Sequence, residues 1–134
     1  MPNGPYLYRK LMPAACPFCP PSSPLLFRQE LALAFADGYP VNPGHTLVIP
    51  VRHIADYFEL SDAEKAACWA LVDRVRAHLQ ARYQPDGFNI GINCGAAAGQ
   101  TVAHAHIHVI PRYAGDVAVP RGGVRGVIPG KKEY

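Results

Sequence analysis

Apolar and polar positions fall into short alternating stretches at both ends of the chain and a four-residue repeat between them. Leu31-Ala-Leu-Ala-Phe-Ala36 reads as a strand, and His45-Thr-Leu-Val-Ile-Pro50 as the next one, ended by proline. Between them, Asp37 to Gly44 is crowded with turn formers: Gly38, Pro40, Asn42, Pro43 and Gly44. Ser61-Asp-Ala-Glu64 is a capping box, in which the serine hydroxyl accepts from the third helical amide and the glutamate reaches back to the Ser61 amide. From there Ala63, Ala67, Leu71, Val75 and Leu79 recur at intervals of four, which predicts one amphipathic helix over about 61–83. Pro85-Asp-Gly87 ends it. Phe88 to Asn93 alternates like a strand, and Val102 to Ile110 alternates more strictly, stopped by Pro111. Residues 1–24 are proline-rich and irregular, and residues 114–134 are rich in Gly and Pro and read as a tail wrapped on a surface. With no repeat and no linker, the expectation is a single domain over 1–134.

Composition adds limits. At 134 residues, 49% of them hydrophobic and 17% charged, the chain has the material for one ordinary core. No apolar run approaches the roughly 20 residues that span a bilayer, so no membrane role is expected. Met1 to Tyr8 lacks the layout of a secretory signal. The expectation is a cytoplasmic protein, where four cysteines do not form a disulfide framework. The net charge of +3 lies wholly in the last stretch, where Arg112, Arg121, Arg125, Lys131 and Lys132 face only Asp116 and Glu133. So few charges suit a solvated terminus or a small anionic ligand better than nucleic acid.

The chemistry concentrates in Val102-Ala-His104-Ala-His106-Ile-His108-Val-Ile110. On a strand, side chains alternate faces, so the three histidines would share one face at intervals of about 6.5–7 Å, with Ala103, Ala105, Ile107 and Val109 on the core side. Imidazoles lined up in this way serve as acid, base, nucleophile or metal ligand near neutral pH. A joint metal site on His104, His106 and His108 stays open on the residues alone. Cys16-x-x-Cys19 is a redox pair or half of a zinc site, and the surrounding prolines disfavour the helix start that a redox pair uses. Cys68 and Cys94 read as small apolar residues, His78 as solvent-facing, and Trp69 as core or interface. The glycines near Lys132 fail as a phosphate loop, since Arg125 stands where the first glycine is needed and Lys132 where Ser or Thr is needed.

The stretch from Gly99-Gln-Thr to Pro111-Arg112, with His104, His106 and His108 spaced by small or apolar residues, resembles the signature of the histidine triad (HIT) family. Asn42-Pro-Gly-His45-Thr-Leu-Val-Ile-Pro50 is similar to that family's other recurrent stretch. The similarity covers roughly 16–112, and the flanking Gly-Gln-Thr and Pro-Arg resemble the fragile histidine triad branch. It implies an α+β fold, a five-stranded antiparallel sheet with a long helix, in a homodimer with two sheets side by side.

The resemblance also implies a hydrolase that attacks the α-phosphate of nucleoside 5′-phosphate derivatives, dinucleoside polyphosphates or nucleoside phosphoramidates. His106 maps onto the nucleophile that forms a nucleotidyl-histidine, His108 onto its phosphate-side partner, and His45 onto the supporting histidine. Asp37 maps onto the group that holds the ribose hydroxyls. Asn93 and Gln100 map onto polar positions near the phosphate, and Thr101 onto a hydroxyl near the leaving group. Glutamine in place of His108 marks related uridylyltransferases, so the third histidine favours water as acceptor. A nucleotide-binding protein with slow turnover, or a nucleotidyltransferase or phosphorylase, is the alternative. Bacterial members with an N-terminal Cys-x-x-Cys imply a structural zinc on Cys16, Cys19, His53 and His104, not needed for catalysis. Leu25, Phe27 and Leu33 are base-pocket candidates, and Arg121 or Arg125 candidates for polyphosphate.

Overall fold

In a computed structural model, the described residues are 16–134, and the part of the irregular N-terminal segment before Cys16 lies outside them. Five strands form one antiparallel sheet in the order β1-β2-β3-β5-β4: β1 Leu25–Arg28, β2 Ala32–Ala36, β3 Thr46–Pro50, β4 Gly87–Ile92 and β5 Ile107–Arg112. The single α-helix among the described residues, α1 (Asp62–Tyr83), packs on one face of it. Among the described residues, no helix is long and apolar enough to cross a membrane.

The expected capping box forms, with the Glu64 amide donating to Ser61 Oγ and the Ser61 amide donating to Glu64 Oε1. The buried stripe of α1 is Cys68, Leu71, Val72, Val75 and Leu79, set against Ala32, Ala34, Val48, Ile107 and Val109. Ala63 is exposed and Ala67 half-buried. A strict interval of four drifts around a helix of 3.6 residues per turn, so the first members of the ladder rotate off the core face. Burying such a side chain stabilises by roughly 1.5–3 kcal/mol, so this stripe fixes the helix on the sheet. The opposite face of β2 and β3 carries a second cluster of Leu33, Phe35, Leu47 and Ile49, with Phe18 packed on it. That second face holds the site.

Gly44 delivers the chain into β3 with φ +90°, and a Cβ there would lie 3.1 Å from Pro111 Cγ and from Tyr83 Cδ2. Only glycine combines that backbone with that approach, and the next residue is His45.

The strand expected over 102–110 is displaced. It runs over Ile107–Arg112, and His104 and His106 precede it outside any strand. β5 pairs with β3 only through Ile107 to Val109, opposite Val48 to Thr46. Upstream, Ala105 N–H donates to Ile54 O at 2.7 Å, which draws the chain away from the ladder. Ala103 is accordingly exposed rather than core-facing, while Ala105, Ile107 and Val109 are buried. Pro111 does not stop the strand, because at that point only β4 pairs with it, opposite Phe88. The tail after Arg112 forms turns and short 3-10 segments, Gly123–Val127 and Pro129–Lys131.

Candidate active site

Phe18, Phe35, Leu47, Asp37, Asn93, Thr101, His106 and His108 line one cavity of about 310 Å³. The sheet supplies Phe35, Leu47 and His108, the β2–β3 turn supplies Asp37, and the loop after β4 supplies Asn93 and Thr101. His106 comes from the irregular segment directly before β5.

The hydrogen bonds fix which ring nitrogen is free on each histidine. His106 Nδ1 lies 2.8 Å from the His104 carbonyl. A carbonyl only accepts, so Nδ1 carries the proton and Nε2 keeps its lone pair. His45 Nδ1 accepts from Val41 N–H at 3.1 Å, which leaves Nε2–H to donate to His108 Nδ1 at 3.0 Å. His108 then carries its proton on Nε2. Asp37 Oδ2 lies 3.4 Å from His45 Nε2, and Asp37 Oδ1 accepts from Tyr39 N–H at 2.8 Å. The His106 and His108 rings meet edge to face with centroids 5.0 Å apart. Burial, reinforced by the neighbouring His106 and His45, pushes His108 down to about 4, so it is neutral near pH 7. Burial also lowers His45, against the pull of the Asp37 carboxylate.

The third histidine of the motif faces elsewhere. His104 is fully buried, and its Nε2–H donates to Pro50 O at 2.9 Å. Its Nδ1 points to sulfur, 3.6 Å from Cys16 Sγ and 3.3 Å from Cys19 Sγ, and Cys19 Sγ is also 3.3 Å from His53 Nδ1. The ligand atoms of Cys16, Cys19, His53 and His104 all lie within 4.8 Å of one another. Tetrahedral zinc, with bonds of about 2.0–2.3 Å, sets its ligands roughly 3.3–3.8 Å apart, so the four residues fit it. The set is complete without water, as in a structural site. Burial first, then the neighbouring Cys16, pushes the Cys19 thiol up to about 11. Asp37, His45 and His108 form the other such group among the described residues, whereas His104, His106 and His108 do not form one.

Four expectations change on geometry. Gln100 is tied into its own loop, accepting from Gly95 N–H at 2.9 Å and donating to Ala55 O and Val102 O at 2.8 and 3.1 Å, and it does not line the cavity. A side-chain amide beside a glycine turn meets backbone partners first. Leu25, Phe27 and Leu33 do not line the cavity either. Phe27 lies under α1 between the Arg74 guanidinium, 4.4 Å from its centroid, and the His78 ring at 5.8 Å. That contact also leaves His78 half-buried rather than solvent-facing. Leu33 sits in the second cluster beside Phe35 and Leu47. Arg121 and Arg125 stack on Tyr134 and lie outside the cavity lining. Sequence reading missed three lining residues, Phe18, Phe35 and Leu47, and for Phe18 its apolar side chain between two cysteines was the available sign.

Comparison with known proteins agrees with this geometry. The HIT domain family model matches residues 21–115. The AP-4-A phosphorylase of Mycobacterium tuberculosis is 39% identical over 90 residues, 66% of this chain and 46% of that protein. The asymmetrical bis(5′-nucleosyl)-tetraphosphatase of Schizosaccharomyces pombe is 37% identical over 97 residues, 72% of this chain and 53% of that protein. The chain thus spans about half the length of these curated relatives. Among solved structures, a Zn-bound histidine triad family protein from Mycobacterium smegmatis matches with TM-score 0.72 at 35% identity, covering 79% of this chain and 81% of that one. A HIT family protein from Bacillus anthracis matches with TM-score 0.72 at 38% identity over 78% of this chain and 79% of that one. On the matched domain, the sheet and the histidine arrangement together, the chain belongs to the HIT domain family.

Proposed function

We propose that this protein cleaves nucleoside 5′-phosphate derivatives at the α-phosphorus through a nucleotidyl-histidine on His106. The observation that carries the reading is the hydrogen bond from His106 Nδ1–H to the His104 carbonyl at 2.8 Å, which leaves Nε2 bare at the cavity. Nε2 attacks phosphorus and forms a P–N bond as the P–O or P–N bond to the leaving group breaks. Water then takes the nucleotidyl group, releasing a nucleoside monophosphate and restoring the imidazole. Splitting the displacement in two lowers each barrier. His108 donates its Nε2–H to a phosphate oxygen, held for that task by His45. Asp37 accepts from the ribose hydroxyls, and Phe18, Phe35 and Leu47 form the apolar wall for the base. Asn93 and Thr101 stand on the phosphate and leaving-group side.

Support for the substrate class comes from the relatives, whose names specify AP-4-A and bis(5′-nucleosyl) tetraphosphate. One of them is named a phosphorylase, which favours a second reading in which inorganic phosphate replaces water as acceptor. Cleavage of diadenosine tetraphosphate with and without phosphate separates the two. Hydrolysis gives AMP in both cases, while phosphorolysis gives ADP only when phosphate is present. No cleavage of any dinucleoside polyphosphate or phosphoramidate, with AMP binding intact, would leave a nucleotide-binding protein instead.

Zinc on Cys16, Cys19, His53 and His104 would supply a rigid cross-link and no chemistry at phosphorus. A homodimer is part of the proposal, since the outer edge of β4 has no strand partner among the described residues.

A further inference from the structure

Among the described residues, every hydrogen bond between residues 16–24 and the rest of the chain runs through a cysteine sulfur: Cys16 to His104, Cys19 to His104 and Cys19 to His53. The other bonds of the segment stay inside it, from Cys19 N–H to Cys16 O and from Phe18 N–H to Cys16 Sγ. Pro17, Phe18, Ser22 and Ser23 of this segment line the same cavity as His106 and Asp37. The Phe18 ring sits edge-on to His106 and to Phe35, with centroids 5.2 Å away in each case, and 6.0 Å from His104. Among the described residues, one wall of the cavity is therefore hydrogen-bonded to the body at the Cys–His cluster, and it packs there through the Phe18 ring before running into β1.

We propose that metal occupancy of the Cys16–Cys19–His53–His104 cluster sets the affinity for the nucleobase through Phe18. Phe18 is then the specificity residue that the metal positions. The inference rests on the reading of the cavity as a nucleotide site. Two sulfurs bound to one ion hold the two residues between them, and Phe18 is one of those two. Without the ion, the described hydrogen bonds of the segment to the body are thiol–imidazole contacts of 3.3–3.6 Å, which leave the Phe18 ring to its packing alone. The phosphate end of the site, on His106, His108 and His45, takes its hydrogen bonds from outside the segment, from the His104 carbonyl, from the Val41 amide and between His45 and His108. The ion thus acts on the base and spares the phosphate.

The test uses the His106→Asn protein, which binds without turnover, in zinc-loaded and zinc-stripped forms. AMP and the base-free ribose 5-phosphate are titrated by calorimetry, with circular dichroism to verify folding. Loss of one base–aromatic contact corresponds to roughly a tenfold weaker Kd. The expected result is AMP weakened about tenfold on stripping, restored by added zinc, with ribose 5-phosphate unchanged. In the zinc-loaded protein, Phe18→Ala should weaken AMP by the same factor while zinc content stays constant, and stripping should then change nothing further. AMP affinity insensitive to both zinc and Phe18→Ala overturns the proposal, and so does equal weakening of both ligands. If stripping unfolds the chain, the zinc-loaded Phe18→Ala comparison still tests the Phe18 half of the proposal, and unchanged AMP affinity there overturns it. Failure of the zinc-loaded protein to bind AMP at all removes the nucleotide reading and the clamp with it.

Discussion

His104 and His106 are two residues apart, both buried and both anchored to a backbone carbonyl, yet they face different chemistry. His104 gives its Nε2–H to Pro50 and turns Nδ1 to the sulfurs, whereas His106 gives its Nδ1–H to His104 and turns Nε2 to the cavity. Residue type and spacing do not separate a ligand from a nucleophile here. The nitrogen that the backbone occupies does, because it selects the one left over. The same residue joins the two regions, since the His104 ring belongs to the cluster and its carbonyl orients His106.

The sharpest way to break the comparison is to exchange roles. His106→Asn should lower turnover at least about a thousandfold in a steady-state assay while zinc content stays at the wild-type level. His104→Asn should do the reverse first, losing zinc in a metal assay. Activity loss in both with zinc loss in neither would mean that the two regions are not distinct.

Next in size is the metal. Cys16→Ser should empty the site and lower the thermal midpoint by about 10 °C, at roughly 3–4 °C per kcal/mol for a chain of this size. Because burial and Cys16 raise Cys19 to about 11, metal binding has to displace a firmly held proton. Zinc affinity, read by competition with a chelator, should therefore fall steadily as pH is lowered. A pH-independent affinity would argue against thiolate ligation.

How much of this was legible in the sequence follows the same division. The capping box and α1 were readable because their determinants are local. Strand β1 was not, since Leu25-Leu-Phe-Arg28 is four residues without alternation after a proline-rich stretch, and only pairing with β2 makes it a strand. Alternation placed three histidines on one face, but His104 and His106 lie beyond the last β3–β5 pair, where ring hydrogen bonds rather than the pleat decide direction. The Cys-x-x-Cys spacing pointed to ligands and hid Phe18 between them. Gln100 matched its motif by position, and its loop claimed the amide.

A smaller effect sharpens the catalytic side. His108 is held near 4 in the folded chain against an ordinary 6.5, so between those values the unfolded chain binds the extra proton and the folded one does not. Stability is thus complete above about 6.5 and declines as pH falls toward 4. His108→Gln should flatten that part of a plot of thermal midpoint against pH. An unchanged slope would place the titration elsewhere.

The smallest effect serves as a control far from both regions. Ser61→Ala removes the acceptor for the Glu64 amide and should cost about 1 kcal/mol, or some 3 °C, in thermal unfolding. Zinc content and turnover should not move. A change in either would show that global stability, not local geometry, governs the readouts.

The most direct test of the central claim is acid-free quenching of the enzyme with diadenosine tetraphosphate, followed by peptide mass analysis. An adenylyl group is expected on the peptide that contains His106, lost on mild acid treatment and absent from His106→Asn. An adenylyl group on another residue, or turnover with no adenylyl-enzyme under any quench, would contradict it.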